Sequence, residues 1–174
     1  FTPERILTVY ADSIRPEILF SSGEKLTRIF LNEDGTVNKT LIYQANNNKQ
    51  HSLSSNFICS IEREDDSTLW IGCIGGGLNK VTLLNGNYEA QSFFDKEGLK
   101  LKDVECLQKD GQGNIWLAGN GIVRYHPETN TFKPYTIDNT YTNSYKVGAS
   151  YKGKSGNIYF GGINGLIYFN SKEI

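Results

Sequence analysis

An all-β fold of four antiparallel, four-stranded repeats is what this sequence predicts, and three observations carry that reading. Glycine supplies 18 of 174 residues and proline only 4, against a usual glycine share of ~7%, which points to many tight turns rather than to a proline-rich linker. No window keeps a 3.6-residue apolar period, whereas short β-branched and aromatic runs recur throughout, so long helices are not expected. Those runs also recur at a regular distance. Trp70 in Thr68-Leu69-Trp70-Ile71-Gly72-Cys73 is followed 46 residues later by Trp116 in Asn114-Ile115-Trp116-Leu117-Ala118-Gly119, and 43 residues after that by Tyr159 in Asn157-Ile158-Tyr159-Phe160-Gly161-Gly162. Leu19 stands 51 residues before Trp70, in Glu17-Ile18-Leu19-Phe20-Ser21-Ser22.

Each unit then reads in the same order. A first strand is expected at 6–10, 57–61, 104–107 and 147–151. Turns follow at Ser13-Ile14-Arg15-Pro16, Glu64-Asp65-Asp66-Ser67, Asp110-Gly111-Gln112-Gly113 and Gly153-Lys154-Ser155-Gly156. Their residues are turn formers for separate reasons: glycine for positive φ, Asp and Ser for local side-chain bonds, proline for its fixed φ. The anchored second strand comes next, then a third at 26–31, 78–83, 122–125 and 166–169. A fourth is expected at 40–44, 89–94 and 131–136, and none in the last unit, which makes fifteen strands.

A four-stranded meander of ~40–50 residues is the unit of a β-propeller blade. The whole chain is read as one partial β-propeller domain, 1–174, with repeat units at about 4–45, 53–95, 101–137 and 143–170, cut from a larger ring. Val9, Ser60, Cys106 and Ala149 fall at one place in the four first strands. Three of them are small, as crowding near a propeller axis requires. Trp70, Trp116 and Tyr159 are expected to be buried blade core. End blades with one uncovered face should self-associate, as homodimers or otherwise, through those faces.

Composition excludes several classes. Lys plus Arg number 18 and Asp plus Glu 19, a net charge of −1, which offers no overall basic surface for nucleic acid. No stretch approaches the ~18–20 apolar residues of a membrane span, so membrane contact could come only through segments outside this chain. The chain starts at Phe1 and contains no Met, and is read as a processed or excised piece. Tyr, Phe and Trp together make 12% of it, unlike a disordered chain. Cys59, Cys73 and Cys106 are an odd set without CxxC spacing, read as buried thiols rather than disulfide or zinc ligands.

The segment Asp110-Gly111-Gln112-Gly113-Asn114-Ile115-Trp116-Leu117-Ala118-Gly119 resembles the two-component regulator propeller repeat, and so does Thr68-Leu69-Trp70-Ile71-Gly72-Cys73-Ile74-Gly75-Gly76-Gly77-Leu78-Asn79-Lys80. The family pattern is an acidic turn, Gly-Asn, Leu or Ile, Trp, Ile-Gly-Thr, then Gly-Gly-Leu and a basic residue. The resemblance covers residues 53–170; the first unit shares only the hydrophobic outline. It implies the periplasmic sensor region of a hybrid two-component histidine kinase of Bacteroidetes, in which propellers precede an immunoglobulin-like domain, a membrane helix and the kinase. It also implies an oligosaccharide ligand. The ending Gly165-Leu166-Ile167-Tyr168-Phe169-Asn170 is similar to a final blade before that immunoglobulin-like domain. No phospho-acceptor or nucleotide-binding pattern is present, so kinase activity is not expected in this segment.

Catalytic constellations are thin. His51 and His126 lie 75 residues apart without local partners for triad or metal chemistry. Glu62, Glu64, Asp65 and Asp66 cluster at a turn, a geometry unlike the paired carboxyls of glycoside hydrolysis. The Asp110 turn is similar to the Asp-box of sialidase propellers, but Gly113 falls three residues after Asp110, where that box has glycine two after. Gly75-Gly76-Gly77 lacks the following helix, Lys and Ser or Thr of a phosphate loop. Asn38-Lys39-Thr40 fits a glycosylation acceptor, a tripeptide that arises readily by chance. The reading is a non-catalytic sensor propeller without cofactor or metal; the alternatives are a propeller lyase or glycosidase acting on glycans, and a propeller used for protein–protein contact.

Strand direction places two sets of loops on one rim: 45–56, 95–102 and 138–145 between units, and 73–77, 119–121 and 161–165 between second and third strands. Sugars are held by aromatic faces and planar polar side chains on apolar walls. The candidate ligand-binding residues are accordingly Asn120, Asn139, Tyr141, Asn143, Tyr145 and Asn164.

Overall fold

The computed structural model describes residues 5–12, 14–22, 25–46, 50–84, 87–94, 99, 101–135 and 144–174. Blade 1 comprises β1 (Ile6–Ala11), β2 (Glu17–Ser22), β3 (Lys25–Leu31) and β4 (Val37–Tyr43). Blade 2 comprises β5 (Ile58–Arg63), β6 (Thr68–Cys73), β7 (Gly77–Leu84) and β8 (Asn87–Ser92). Blade 3 comprises β9 (Val104–Lys109), β10 (Ile115–Gly119), β11 (Gly121–His126) and β12 (Thr131–Tyr135). Blade 4 comprises β13 (Tyr145–Lys152), β14 (Asn157–Gly162) and β15 (Gly165–Asn170). In every blade the strands pair antiparallel in chain order. The fifteen expected strands are present, and no helix occurs among the described residues.

Local chemistry sets the hairpins. Asp65 Oδ1 accepts the backbone N–H groups of Ser67 and Thr68 at 2.9 and 2.8 Å. Asp110 Oδ1 accepts those of Gln112 and Asn114 at 2.8 and 2.9 Å, and Gly113 takes the φ of +86° that closes the turn. At the other end of β10, a Cβ on Gly119 would lie 1.9 Å from the Asp103 carbonyl oxygen, so the chain approaches there only as glycine.

The inner strands β1, β5, β9 and β13 stand side by side around the axis. Cys106 Sγ donates to the Lys146 carbonyl at 3.0 Å, and Gln108 Nε2 to Ser150 Oγ at 3.0 Å, joining β9 to β13. Three buried clusters hold the blades face to face. Leu19, Leu26 and Tyr43 of blade 1 pack on Ile58, Leu69 and Val81 of blade 2. Trp70, Leu78 and Phe93 of blade 2 pack on Val104, Ile115 and Tyr125 of blade 3. Trp116 and Ile122 of blade 3 pack on Ile158 and Phe160 of blade 4. Each anchor thus faces the following blade. No such cluster among the described residues covers the outer faces of blades 1 and 4, where Val9, Ile42, Tyr151, Leu166 and Tyr168 are exposed.

Two expectations are corrected. Trp70 and Trp116 are fully buried, but Tyr159 is only half-buried, because the face it shares with Tyr151 and Tyr168 meets no further blade; their rings line up at 6.1 and 5.7 Å between centroids. Val9 is also not the equivalent of Ser60 and Cys106. Tyr10 pairs with Leu19, nine residues on, whereas Glu62 pairs with Trp70 and Gln108 with Trp116, each eight residues on. The first hairpin is longer by one residue, which makes Thr8 the equivalent residue and turns Val9 to the opposite face, 61% exposed.

Blades 1 and 2 are joined by a buried ionic cluster that the repeat pattern does not announce. Arg28 Nη2 meets Glu17 Oε2 at 2.6 Å, and Arg63 pairs with both Glu17 and Asp12. Arg15 bridges Asp12 to Asp66. The buried members are Glu17 and Asp12 against Arg28 and Arg63, two charges of each sign, so the buried part is neutral overall, which is the condition for burying charge at all; Asp66 lies at the solvent edge. Hydrogen bonds, foremost from the Ile14 N–H, hold the Asp12 carboxyl down to about 2.

Candidate functional site at the propeller rim

The rim carrying the turns between second and third strands is built around Asn79, whose side chain is completely buried. Its Oδ1 accepts the Ser54 N–H at 3.1 Å, and its Nδ2 donates to Ser54 Oγ at 2.8 Å. Ser54 Oγ in turn donates to the Gly76 carbonyl at 2.6 Å. The inter-blade segment before β5 is thereby fastened to the β6–β7 turn. One step further out, the Ile74 N–H donates to the Phe57 carbonyl at 2.9 Å, and Ser55 Oγ to the Ile74 carbonyl at 2.8 Å. Phe57 and Ile74 are held this way at the surface, 50% and 36% exposed.

Beside them a cavity of about 360 Å³ opens where β1, the end of β2 and β13 converge, lined by Arg5, Leu7, Ser21, Ser22, Asn56, Phe57, Ile74 and Val147. The Asn56 amide is oriented by its oxygen, which accepts the Ala45 N–H at 2.6 Å. Ser21 Oγ accepts the Thr8 N–H at 3.2 Å. Among the described residues the lining contains aromatic and aliphatic surface, two hydroxyls, one amide and one guanidinium, and no carboxylate, imidazole or thiol. These groups offer apolar contact and hydrogen bonding.

Of the residues singled out from the sequence, Asn120 and Asn164 are exposed in the turns after β10 and β14, on this same rim. Neither lines the cavity. Tyr145 does not present its ring to solvent: it is 1% exposed and packs on Phe160 at 5.9 Å, and burial raises its hydroxyl pKa. The first residue of β13 points into the blade 3–blade 4 core, as Ile58 does at the start of β5. Asn139, Tyr141 and Asn143 lie outside the described residues. Arg5, Phe57 and Ile74 were missed, although one signal was readable: Ile74 and Ile163 are β-branched apolar residues inside glycine-containing turns, where burial is least available.

Titratable groups gather on the inner strands at the opposite end. Burial pushes the Glu62 carboxyl up to about 7 against the pull of Lys152 and Lys109. Lys109 Nζ lies 3.0 Å from Glu64 Oε2. All three thiols are buried, and burial raises Cys59 and Cys106 to about 11, far from a reactive thiolate.

No protein-family profile matches the chain. Among solved structures it is similar to the extracellular domain of the hybrid two-component system BT4673 of B. thetaiotaomicron, with a TM-score of 0.64 at 17% identity over 98% of this chain and 30% of that one. The fold is a β-propeller. The WD40 β-propeller domain of Doa1 is also similar, with a TM-score of 0.63 at 15% identity over 97% of this chain and 52% of that one. A curated relative, histidine kinase P4 of Formosa agariphila, is 30% identical over 93 residues, which is 50% of this chain and 7% of the kinase. The chain therefore spans 7% of the kinase, 30% of the two-component ectodomain and about half of the Doa1 propeller domain. The extracellular domain of a hybrid two-component system, found by structure, is a neighbour of the kind that the repeat resemblance implies.

Proposed function

We propose that this propeller is a non-catalytic, extracytoplasmic, periplasmic part of a sensor histidine kinase, and that its rim contributes to oligosaccharide sensing. The observation that carries the reading is the rim cavity. It joins an exposed aromatic ring, apolar walls, hydroxyls and an amide, the mixture that stacks on a sugar face and bonds its hydroxyls. Exposed Asn120 and Asn164 extend the same surface. Similarity to a two-component ectodomain over nearly the whole chain supports the sensor role, and similarity to a histidine kinase supports the output. The uncovered faces of blades 1 and 4 support contact with further apolar surface, a second copy included, which sedimentation velocity reads as concentration-dependent association.

Calorimetric titration of the chain with a panel of oligosaccharides tests the reading. Binding that falls at least tenfold in Phe57→Ala, with the melting temperature unchanged, supports it. Affinity unmoved by both Phe57→Ala and Asn56→Ala places the ligand elsewhere, and turnover of any panel member replaces the sensor reading with an enzymatic one.

A further inference from the structure

The rim cavity is unbalanced in its hydrogen-bonding groups, and the imbalance has a direction. Asn56 spends its side-chain oxygen on the Ala45 N–H at 2.6 Å. A backbone N–H only donates, so this bond fixes which end of the amide is oxygen, and Asn56 Nδ2 keeps both of its donors. Ser21 is 3% exposed, and its Oγ accepts the Thr8 N–H at 3.2 Å, which leaves the hydroxyl proton to donate. Neither the Ser22 hydroxyl nor the Arg5 guanidinium has a side-chain partner among the described residues.

Elsewhere on this rim such groups are spent. Ser54 and Asn79 bond each other, Ser54 Oγ also donates to the Gly76 carbonyl, and Ser55 Oγ donates to the Ile74 carbonyl. Asp103, the carboxylate beside the Ile74 turn, lies outside the lining, and its Oδ1 accepts the Gly75 N–H at 2.7 Å. Among the described residues the open side-chain groups of the cavity are therefore donors almost throughout, headed by a cation, against apolar walls that include the Phe57 ring. A neutral sugar presents hydroxyls that must donate as well as accept, and here its donors find few acceptors. An oxyanion only accepts, and the planar guanidinium fork matches a carboxylate or sulfate through two parallel bonds.

We infer that the rim cavity is specific for acidic saccharides: Arg5 pairs with a carboxylate or sulfate carried by the sugar, Asn56 and the two serines supply further donors to the same ligand, and Phe57 takes the adjoining sugar face. The inference rests on the reading of the rim as a saccharide site and adds the charge of the ligand and the residue that selects it.

Two kinds of probe separate the charge from the sugar. Sodium sulfate, titrated against sodium chloride at constant ionic strength, should shift the Arg5 Nε–H and Asn56 side-chain amide resonances along a saturating curve, and Arg5→Gln should abolish the response at Asn56. In calorimetry, tetragalacturonate should bind roughly tenfold or more tighter than its fully methyl-esterified form, the effect of one charge-assisted hydrogen bond. Arg5→Gln should bring the two level, and Arg5→Lys should keep part of the gap. A galactan tetrasaccharide with and without a sulfate ester makes the same comparison for the second oxyanion, and the pair with the larger gap names the group that Arg5 reads. Uncharged forms that bind as tightly as the acidic ones, with both weakened by Phe57→Ala, would overturn the inference and leave the saccharide reading standing. A saturating sulfate response with no saccharide bound would overturn the saccharide reading while the oxyanion site stands. No sulfate response at Arg5 or Asn56 and no gap in either pair would overturn the inference.

Discussion

Blades 2 and 3 and blades 1 and 4 are built on one plan but live in different surroundings. In the middle blades the anchor is Trp, buried on both flanks, and its indole N–H finds a turn carboxylate: Trp70 Nε1 donates to Glu64 Oε2 at 2.8 Å, and Trp116 Nε1 to Asp110 Oδ2 at 2.9 Å. Opposite the anchor stands a cation, with Lys80 over the Trp70 ring at 5.2 Å and Arg124 over the Trp116 ring at 5.4 Å. In the end blades the anchors are Leu19 and Tyr159, and with the first hairpin's extra residue counted the turn position of Glu64 and Asp110 is held by Asp12 in blade 1 and by Gly153 in blade 4. Each buried indole therefore has its turn carboxylate, whereas the carboxylate without an indole, Asp12, turns to Arg15 and Arg63 instead. The pairing follows from desolvation: a buried N–H needs an acceptor, and a buried carboxylate needs donors. Burial works against the Asp110 carboxylate, yet the bonds from Asn114, Trp116 and Gln112 more than offset it and hold its pKa below the ordinary value.

The comparison breaks first at the anchors. Trp116→Ala should destabilise the fold by roughly 3–5 kcal/mol, the usual range for a buried aromatic. Tyr159→Ala at the equivalent half-covered site should cost about 1 kcal/mol. Urea denaturation of the two variants measures the gap, and equal losses would mean that coverage does not distinguish the blades. Next comes the blade 1–blade 2 contact, which relies on charge where the others rely on rings. Glu17→Gln leaves Arg28 and Arg63 underpaired in a buried site and should cost roughly 3 kcal/mol. A loss below 0.5 kcal/mol would show that water reaches the cluster.

A smaller effect sharpens the indole–carboxylate pairing. Asp110→Ala strips the partners from the Trp116 indole and two turn N–H groups and should cost about 2 kcal/mol. Because the native state lowers the Asp110 pKa, its contribution is present above the unfolded pKa and fades as pH falls through the folded one. Glu62 has the opposite sign. Its pKa rises from 4.5 to about 7 on folding, so the native state holds the proton longer, and this residue subtracts stability as pH climbs through that window. Glu62→Gln should therefore be more stable than the parent at pH 8, by roughly 1–3 kcal/mol, and the difference should shrink towards pH 4. A pH-independent difference would place Glu62 in solvent.

The blade plan was legible because it rests on period: alternation, turn residues and anchors recur at intervals that one chain displays unaided. The first hairpin's extra residue was not, since a sequence offset of ten from anchor to inner strand is the same in all four units, and only the pairing reveals that Tyr10 meets Leu19. The candidate site was less legible. Asn120 and Asn164 fall on the rim because strand direction alone dictates it. Tyr145 reads as a loop aromatic but starts β13, where its first side chain points inward. The Glu17–Arg63 pair joins residues 46 apart, and no local pattern encodes a contact between blades. Arg5, Ser21 and Val147 meet at the cavity for the same reason, by convergence of β1, β2 and β13 rather than by spacing.

Native-state hydrogen exchange on the intact chain tests most directly whether coverage by a neighbour, rather than strand sequence, separates the middle blades from the end blades. The β10 amides, between two packed faces, should exchange only through global unfolding, while those of β14 and β15 should open at a lower free energy. Equal protection in β10 and β14 would contradict the account.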